Sequence, residues 1–437
     1  MKVKASVTAA VILGAPVRAA AGGSFNVLSM NVAGLPAILN SNDVPGDKKT
    51  NAALIGSKFA EYGYDLIHAQ EDFNYHAYVY GSDTHPYRTA TSGGVPFGSG
   101  LNTLANYDWA AFKRIKWDKC SDASDFDCFT PKGFTFMRLK LSDGVYVDAY
   151  NVHTDAGTKD GDIKARASNL QEVADYIDTW SSGNAVVVFG DTNSRYTRAG
   201  DIVPSFLSQT GLKDTQVELI WDGVPPTVES LCSNPSTTND CETVDKIFYR
   251  GSPLLSLTAT NFAYESNKFL QPDGNVLSDH NPITANFTWA AGASLRQSGF
   301  WGGSGGTWFS DVPALSAAAA PKARVLTFRG GSRLDGVAVA LADGTTLAHG
   351  GTGGAASTLT LASDEAWVGA QLCQGTKSGG TRNFYIKATT STGRTLEAGT
   401  ATSDCATFAA PDGWAIVGFL GQDGSEIDQL AFVYAQR

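Results

Sequence analysis

The sequence predicts an α/β domain of two packed sheets covered by helices, followed by a separate all-β region. Three observations carry this. Apolar runs fit for buried strands alternate with two helical stretches as far as Trp289. Polar clusters recur at the ends of those runs, where loops on a rigid scaffold carry chemistry. Beyond Trp289 the chain turns to glycine, threonine and short alternating strands, with no helical pattern. At 437 residues, 43% hydrophobic, the chain is long enough for two sizeable domains.

Taken in order, residues 1–21 have the shape of a secretory signal: Lys2 and Lys4, a short apolar stretch, then small residues. That stretch is too short to span a bilayer. Residues 25–36, FNVLSMNVAGLP, read as a strand delivering Asn31 to a Gly/Pro turn. Lys48–Tyr62 reads as a helix with Leu54, Ile55, Phe59 and Tyr62 on one face, and 65–71, DLIHAQE, as an apolar run ending in Glu71. Strand-like runs follow at 101–105, 110–117, 134–141 and 145–153, the last ending on His153. Asp160–Trp180 holds helical spacing through Ile163, Leu170, Val173, Ala174 and Ile177.

The run 185–194, AVVVFGDTNS, is the most telling. Four apolar residues fit a strand buried on both faces, and Asp191 and Asn193, two apart, project the same way from its end. Paired oxygen groups there suit a hard divalent cation, although Asp and Asn also simply hold turns. TVDKIFY at 243–249 and SDHNPI at 278–283 complete the polar clusters. In this order the motifs resemble the endonuclease/exonuclease/phosphatase superfamily, the fold of pancreatic-type deoxyribonuclease and neutral sphingomyelinases, over residues 24–289. The resemblance implies a four-layer α/β/β/α sandwich with the site where strand ends of both sheets meet.

It also implies roles. Glu71 is the principal metal carboxylate, with Asn31 completing its shell or contacting phosphate and Asp279 as a further metal or water-shell carboxylate. Mg²⁺ is the expected ion, with Mn²⁺ and Ca²⁺ as alternatives. Asp191 and Asn193 position the attacking water and the phosphate, and His153 donates to the phosphate. His280 is the general base, and Asp245 orients its imidazolium. His68, His76, His85 and His349 receive no role.

Residues 290–298 read as a linker by content, and 299–436 as a lectin domain. The segment GFWGGSGGTWFSD (299–311), Leu334-Asp335-Gly336-Val337, Ala366-Trp367-Val368 and Ile416-Val417-Gly418-Phe419 resemble a jacalin-related lectin, which implies a β-prism. Such lectins take sugar in a Gly-x-x-x-Asp loop near the C-terminus, matched by Gly424, Ser425 and Asp428, with Gly306 as the close-approach glycine. A carboxylate accepts from two sugar hydroxyls while bare backbone N–H groups donate back. Mannose-type members carry an acid where Ser425 stands, so the sugar is left open.

Six cysteines agree with an oxidising compartment, and Cys120–Cys128, Cys232–Cys241 and Cys373–Cys405 are the expected pairs, against free buried thiols as the alternative. Asn286-Phe287-Thr288 is a glycosylation sequon on an expected strand. The net charge of −10 disfavours binding nucleic acid by bulk electrostatics. Deoxyribonucleases of this fold place a glutamate beside the counterpart of His153, whereas 98–104, GSGLNTL, offers only Asn102. Lys132-Gly133-Phe134 after a cysteine and a polar loop, and NVHTDAG at 151–157, resemble secreted sphingomyelinases, though without their apolar hairpin for membrane insertion. The expectation is a secreted, monomeric, metal-dependent hydrolase of membrane phospholipids in peripheral membrane contact, held at cell-surface or wall glycans by its lectin domain. The alternatives are a deoxyribonuclease-like endonuclease, a phosphoinositide or other phosphate-ester phosphatase, and a glycan-binding protein without catalysis.

Overall fold

The computed structural model describes residues 22–40, 42–124 and 127–437; the expected signal segment, 1–21, lies outside them. Two six-stranded sheets form the first domain. One runs, in spatial order, Leu255–Tyr264, Ile283–Ala291, Gly22–Asn31, Leu66–Gln70, Asn102–Ala105, Tyr87–Arg88. The other runs Trp109–Lys116, Gly133–Ser142, Val145–His153, Ala185–Asp191, Asp245–Arg250, Lys213–Asp214. Their inner faces interdigitate through Phe25, Val27, Met137, Val147, Val187, Phe189, Ile247 and Phe287, all buried. On the outer faces, Lys48–Tyr62 packs Ile55 and Phe59 against one sheet, and Asp160–Trp180 packs Leu170, Val173 and Ile177 against the other. This is the expected α/β/β/α sandwich.

Both long helices occupy the expected spans. Asp47 caps the first by accepting from Thr50 N, and Gly63, at φ +61, ends it. Leu54 and Tyr62 are only half buried, because Ala52, Ile55 and Phe59 form the true inner stripe. Short helices at His76–Ser82, Val203–Thr210 and Thr215–Leu219 and the edge strand Leu255–Tyr264 join the elements read from sequence. No helix among the described residues is long and apolar enough to cross a membrane.

The second domain has three sheets of five, four and four strands around a core that includes Trp367, Phe328, Phe419 and Phe432. Each sheet contains one long hairpin: Ala323–Gly330 with Leu334–Leu341, Trp367–Lys377 with Gly380–Thr390, and Trp414–Asp423 with Ile427–Gln436. One short helix, Val312–Ala317, interrupts the all-β pattern, with Val312 and Leu315 buried. All three expected disulfides form.

Residues 290–298 are not a loose tether. The strand Ile283–Ala291 runs into them, and Leu295–Gln297 pairs with the last strand of the second domain, burying Leu295. The two domains also share an interface. Buried Arg138 bonds Asp148 at 2.8 and 2.9 Å and the Trp180 carbonyl at 2.7 Å, and its guanidinium stacks on Trp308 of the second domain, 3.5 Å from the ring centroid. Trp308 Nε1 donates to the Ser182 carbonyl at 3.3 Å. Trp308→Ala is therefore expected to destabilise the chain by about 3–5 kcal/mol, measured by denaturant unfolding. A loss below about 1 kcal/mol would mean that the domains merely touch.

Candidate active site

Five strand ends deliver the polar groups to one place. Asn31 closes its strand beside Gln70 of the parallel neighbour, so Glu71 emerges next to it. In the second sheet His153 lies in register with Asp191, and Asp191 in register with Asp245. The loop after Leu277 brings in Asp279 and His280, anchored where Ser278 Oγ donates to the Asn31 carbonyl at 2.6 Å.

Asp191 Oδ2 is the hub. Asn31 Nδ2 lies 3.4 Å from it, His153 Nε2 3.5 Å and His280 Nε2 3.6 Å. Its other oxygen accepts from Asn193 N at 3.0 Å. Burial pushes the Asp191 pKa up to about 6, against the opposing charge of His280. His280 Nδ1 sits 2.9 Å from Asp245 Oδ2, so the imidazole is held between two carboxylates. Burial alone would lower its pKa, but Asp245, Asp191 and Asp279 outweigh that and hold it well above the ordinary histidine value. His153 is pushed the other way, well below that value, by burial and by the positive charges of Lys132 and His280, so it is neutral. Its Nδ1 is buried without a partner.

Two donor sets could hold a metal. Asp191, Asp245 and His280 bring ligand atoms within 4.8 Å of one another. Yet an imidazole with both nitrogens against carboxylates and a raised pKa holds protons and is a poor ligand. Glu71 and Asp279 fit better. The Asn42 amide lies between them, 3.5 Å from Glu71 Oε2 and 3.1 Å from Asp279 Oδ2. Burial raises the Glu71 pKa, Lys132 opposes that, and Asp279 adds to it. Two carboxylates held this close suit a hard divalent cation, and Asn31 turns its amide N–H toward Asp191 and Glu71 while its Oδ1 accepts from Ala33 N at 3.0 Å. Glu71 adopts φ +54, unusual for a non-glycine residue, which turns its side chain out of the strand's course.

Asn193, also at positive φ, has Nδ2 on the Thr154 carbonyl at 3.1 Å, leaving Oδ1 and one amide N–H for the site. Three further residues enter that sequence reasoning gave no role. Asn42 bridges the two carboxylates. Buried Lys48 holds its loop, donating to the carbonyls of Ala33, Leu35 and Asn40 and to Asn42 Oδ1 at 2.8 to 3.0 Å. Lys132, paired with Asp127, places its charge toward Glu71 and Asp191. A lysine opening a helix and an asparagine in a loop carry no local pattern that marks them.

Asn102 is buried, donating to Asp72 Oδ2 at 2.7 Å and accepting from Arg114 at 2.9 Å. The four histidines given no role stay outside the cluster: His68 stacks on Phe189 in the core, while His76, His85 and His349 pair with Asp72, Asp83 and Asp311. In the second domain, Asp428 lies beside Gly305, and Gly306 packs its Cα against the Asp423 backbone. Arg382 pairs with Asp428 at 3.2 Å, and Gly424 N closes the loop on the Glu426 carbonyl. Ser425 backs onto Gly351.

Comparison with known proteins fits this architecture. Residues 44–220 match the model of Endonuclease/Exonuclease/phosphatase family 2, and residues 298–433 that of the jacalin-like lectin domain. The family models thus find an endonuclease/exonuclease/phosphatase domain followed by a jacalin-like lectin domain. It is 36% identical over 276 residues to proteins described as sphingomyelinase in Mycobacterium bovis and Mycobacterium tuberculosis, a match covering 62% of this chain and 54% of theirs. The chain therefore spans about half the length of these curated relatives. Among solved structures it is similar to a beta toxin variant from Staphylococcus aureus with bound magnesium ions (18% identity, 60% of this chain and 99% of that one, TM-score 0.43). It is also similar to AcmJRL, a mannose binding jacalin related lectin from Ananas comosus (21% identity, 33% and 99%, TM-score 0.29).

Proposed function

We propose that the chain is a secreted, divalent-metal-dependent phosphodiesterase that hydrolyses sphingomyelin-type membrane phospholipids, tethered by its lectin domain to glycans. The observation that carries the hydrolase is the His280–Asp245 pair set against Asp191 and His153, beside the Glu71–Asp279 carboxylates. A hard cation such as Mg²⁺, held by Glu71 and Asp279, would polarise the phosphoryl oxygens and stabilise the leaving alkoxide. Once His280 has lost the proton that its carboxylate neighbours favour, its Nε2 accepts the proton of the attacking water, Asp191 fixes that water, and Asp245 steadies the imidazolium that forms. Neutral His153 and Asn193 donate to the phosphate.

A lipid substrate is favoured by what surrounds the site. All the large apolar side chains left exposed among the described residues lie in the first domain. Ile38 (93% exposed) and Leu39 follow the strand carrying Asn31, Phe97 (85%) precedes Asn102, and Phe129 precedes Lys132. Val224, Val228 and Leu231 precede Asp245. The first two loops meet through Asn74, which donates to Gly34 O and accepts from Val95 N, and the last is tied to Ser278 by Asn234. No single apolar hairpin is present in the sequence, but separate loop tips at strand ends of the site supply apolar contact for a bilayer. The double substitution Ile38→Ser with Phe97→Ser is expected to lower hydrolysis of lipid vesicles about tenfold or more while sparing a soluble phosphodiester. Equal loss on both substrates would refute the docking role.

Three disulfides and the basic–apolar leader pattern support secretion. Against the nuclease reading, Asn102 is buried and already paired, with no acid at its position. Purified protein with Mg²⁺ should be assayed side by side on sphingomyelin, phosphatidylcholine, phosphoinositides and plasmid DNA. Sphingomyelin turnover alone is expected. DNA cutting alone would select the nuclease, phosphoinositide turnover the phosphatase, and silence on all four a binding protein without catalysis.

A further inference from the structure

Glu71 keeps a φ of +54, a backbone that a non-glycine residue holds only where its surroundings fix it. Its carbonyl is crowded. Phe73 N donates to it at 2.8 Å, and a Cβ on Gly34 would sit 2.2 Å from it. The next residue is anchored more heavily still. Asp72 is 2% exposed, and its N–H donates to the Gly100 carbonyl at 2.9 Å.

Two donors meet on that buried carboxylate. Asp72 Oδ2 accepts from Asn102 Nδ2 and from His76 Nδ1, each at 2.7 Å. Asn102 Nδ2 also reaches the Asp72 carbonyl at 3.3 Å. Arg114, on the edge strand Trp109–Lys116 of the second sheet, donates to Asn102 Oδ1 at 2.9 Å. That bond fixes the amide with its N–H groups toward Asp72. Arg114 is held in turn by the carbonyls of Leu101 and Ala90. Asn102 itself stands on the strand paired with Leu66–Gln70, which runs directly into Glu71. A relay thus crosses from one sheet to the other, Arg114 to Asn102 to Asp72, and His76 at the start of the next helix closes it.

Among the described residues Asp72 makes no bond to Glu71 or Asp279, so its influence on them passes through the backbone. A carboxylate bonded at two points cannot turn, and the peptide that Asp72 shares with Glu71 cannot turn without it. We propose that Asp72 is a positioning residue for Glu71: clamped by Asn102 and His76, it holds the backbone that aims the Glu71 carboxylate at a divalent cation. The inference rests on the metal-site reading of Glu71 and Asp279. It also gives Asn102 work that has nothing to do with His153.

The test is the Mg²⁺ dissociation constant of the full chain by isothermal titration, with thermal unfolding in chelator as the check on folding. Asp72→Ala is expected to weaken Mg²⁺ binding by about 10–100-fold, as losing a partner that orients a metal ligand does. Asp72→Asn should restore most of that loss, because an amide oxygen accepts from the same two donors. His76→Ala and Asn102→Ala each remove one donor and should weaken binding less than Asp72→Ala. An Asp72→Asn variant as weak as Asp72→Ala would mean that the charge acts on the cation directly, and overturns the positioning role. Unchanged Mg²⁺ binding in Asp72→Ala, or in His76→Ala should the first not fold, also overturns it and leaves the Glu71 site standing. If the wild type binds no Mg²⁺, the metal reading fails and the positioning role falls with it.

Discussion

Glu71→Gln is expected to lower phosphodiester hydrolysis by about 100-fold or more, beyond the 10–100-fold typical of groups that merely support a metal ligand. The amide keeps the shape and removes the charge that holds a hard cation. The fold should not suffer. Burial and Asp279 raise the Glu71 pKa, so ionising this group costs the metal-free protein stability as pH rises from its unfolded value of 4.5 through the raised folded value. Above that window the glutamine variant, without metal, should be as stable as the wild type or more so. Added Mg²⁺ should raise the melting temperature of the wild type by preferential binding to the folded state, and leave Glu71→Gln unmoved. Full wild-type activity in excess chelator, or an equal Mg²⁺-induced shift in both proteins, would reject the Glu71 site.

The pattern of what was legible follows from how each group gets its role. Asn31, Glu71, His153 and Asp191 stand at the ends of apolar runs, and a strand's alternation says which way its end points. The helices Lys48–Tyr62 and Asp160–Trp180 announce themselves by the spacing of their apolar residues. Asn42 and Lys48 carry no such mark, and Lys132 stands out only as part of Lys132-Gly133-Phe134 with no role attached, because each acquires its role only when distant loops close. Lys48 illustrates this: on a helical wheel it is a solvated first-turn lysine, but in the fold it is buried with four acceptors. The exposed apolar tips were hidden for a related reason. Isolated Ile38 and Phe97 form no run in sequence, and become a set only where their strands converge. Within residues 290–298, small polar residues suit a strand edge as well as a linker, and Leu295–Gln297 takes such an edge.

His280→Ala is expected to lower the maximal rate by about 10²–10⁴-fold, the usual worth of a general base. Asp245→Asn should cost less, since it leaves the imidazole in place and removes only the charge at 2.9 Å from Nδ1. The double variant should be no worse than His280→Ala alone; losses that multiply would mean that the two residues act independently. A pH profile separates this relay from a merely structural contact. Asp245 is the foremost of the charges holding the His280 pKa above its ordinary value, and a base works only once deprotonated. Removing that charge lowers the pKa. The acid limb of kcat/KM should therefore move to lower pH in Asp245→Asn even as the plateau falls. Had Asp245 served only to pack the loop, the plateau would fall with the limb unmoved. A limb that stays in place or shifts upward would take the orienting role from Asp245 and, with it, the assignment of His280 as the base.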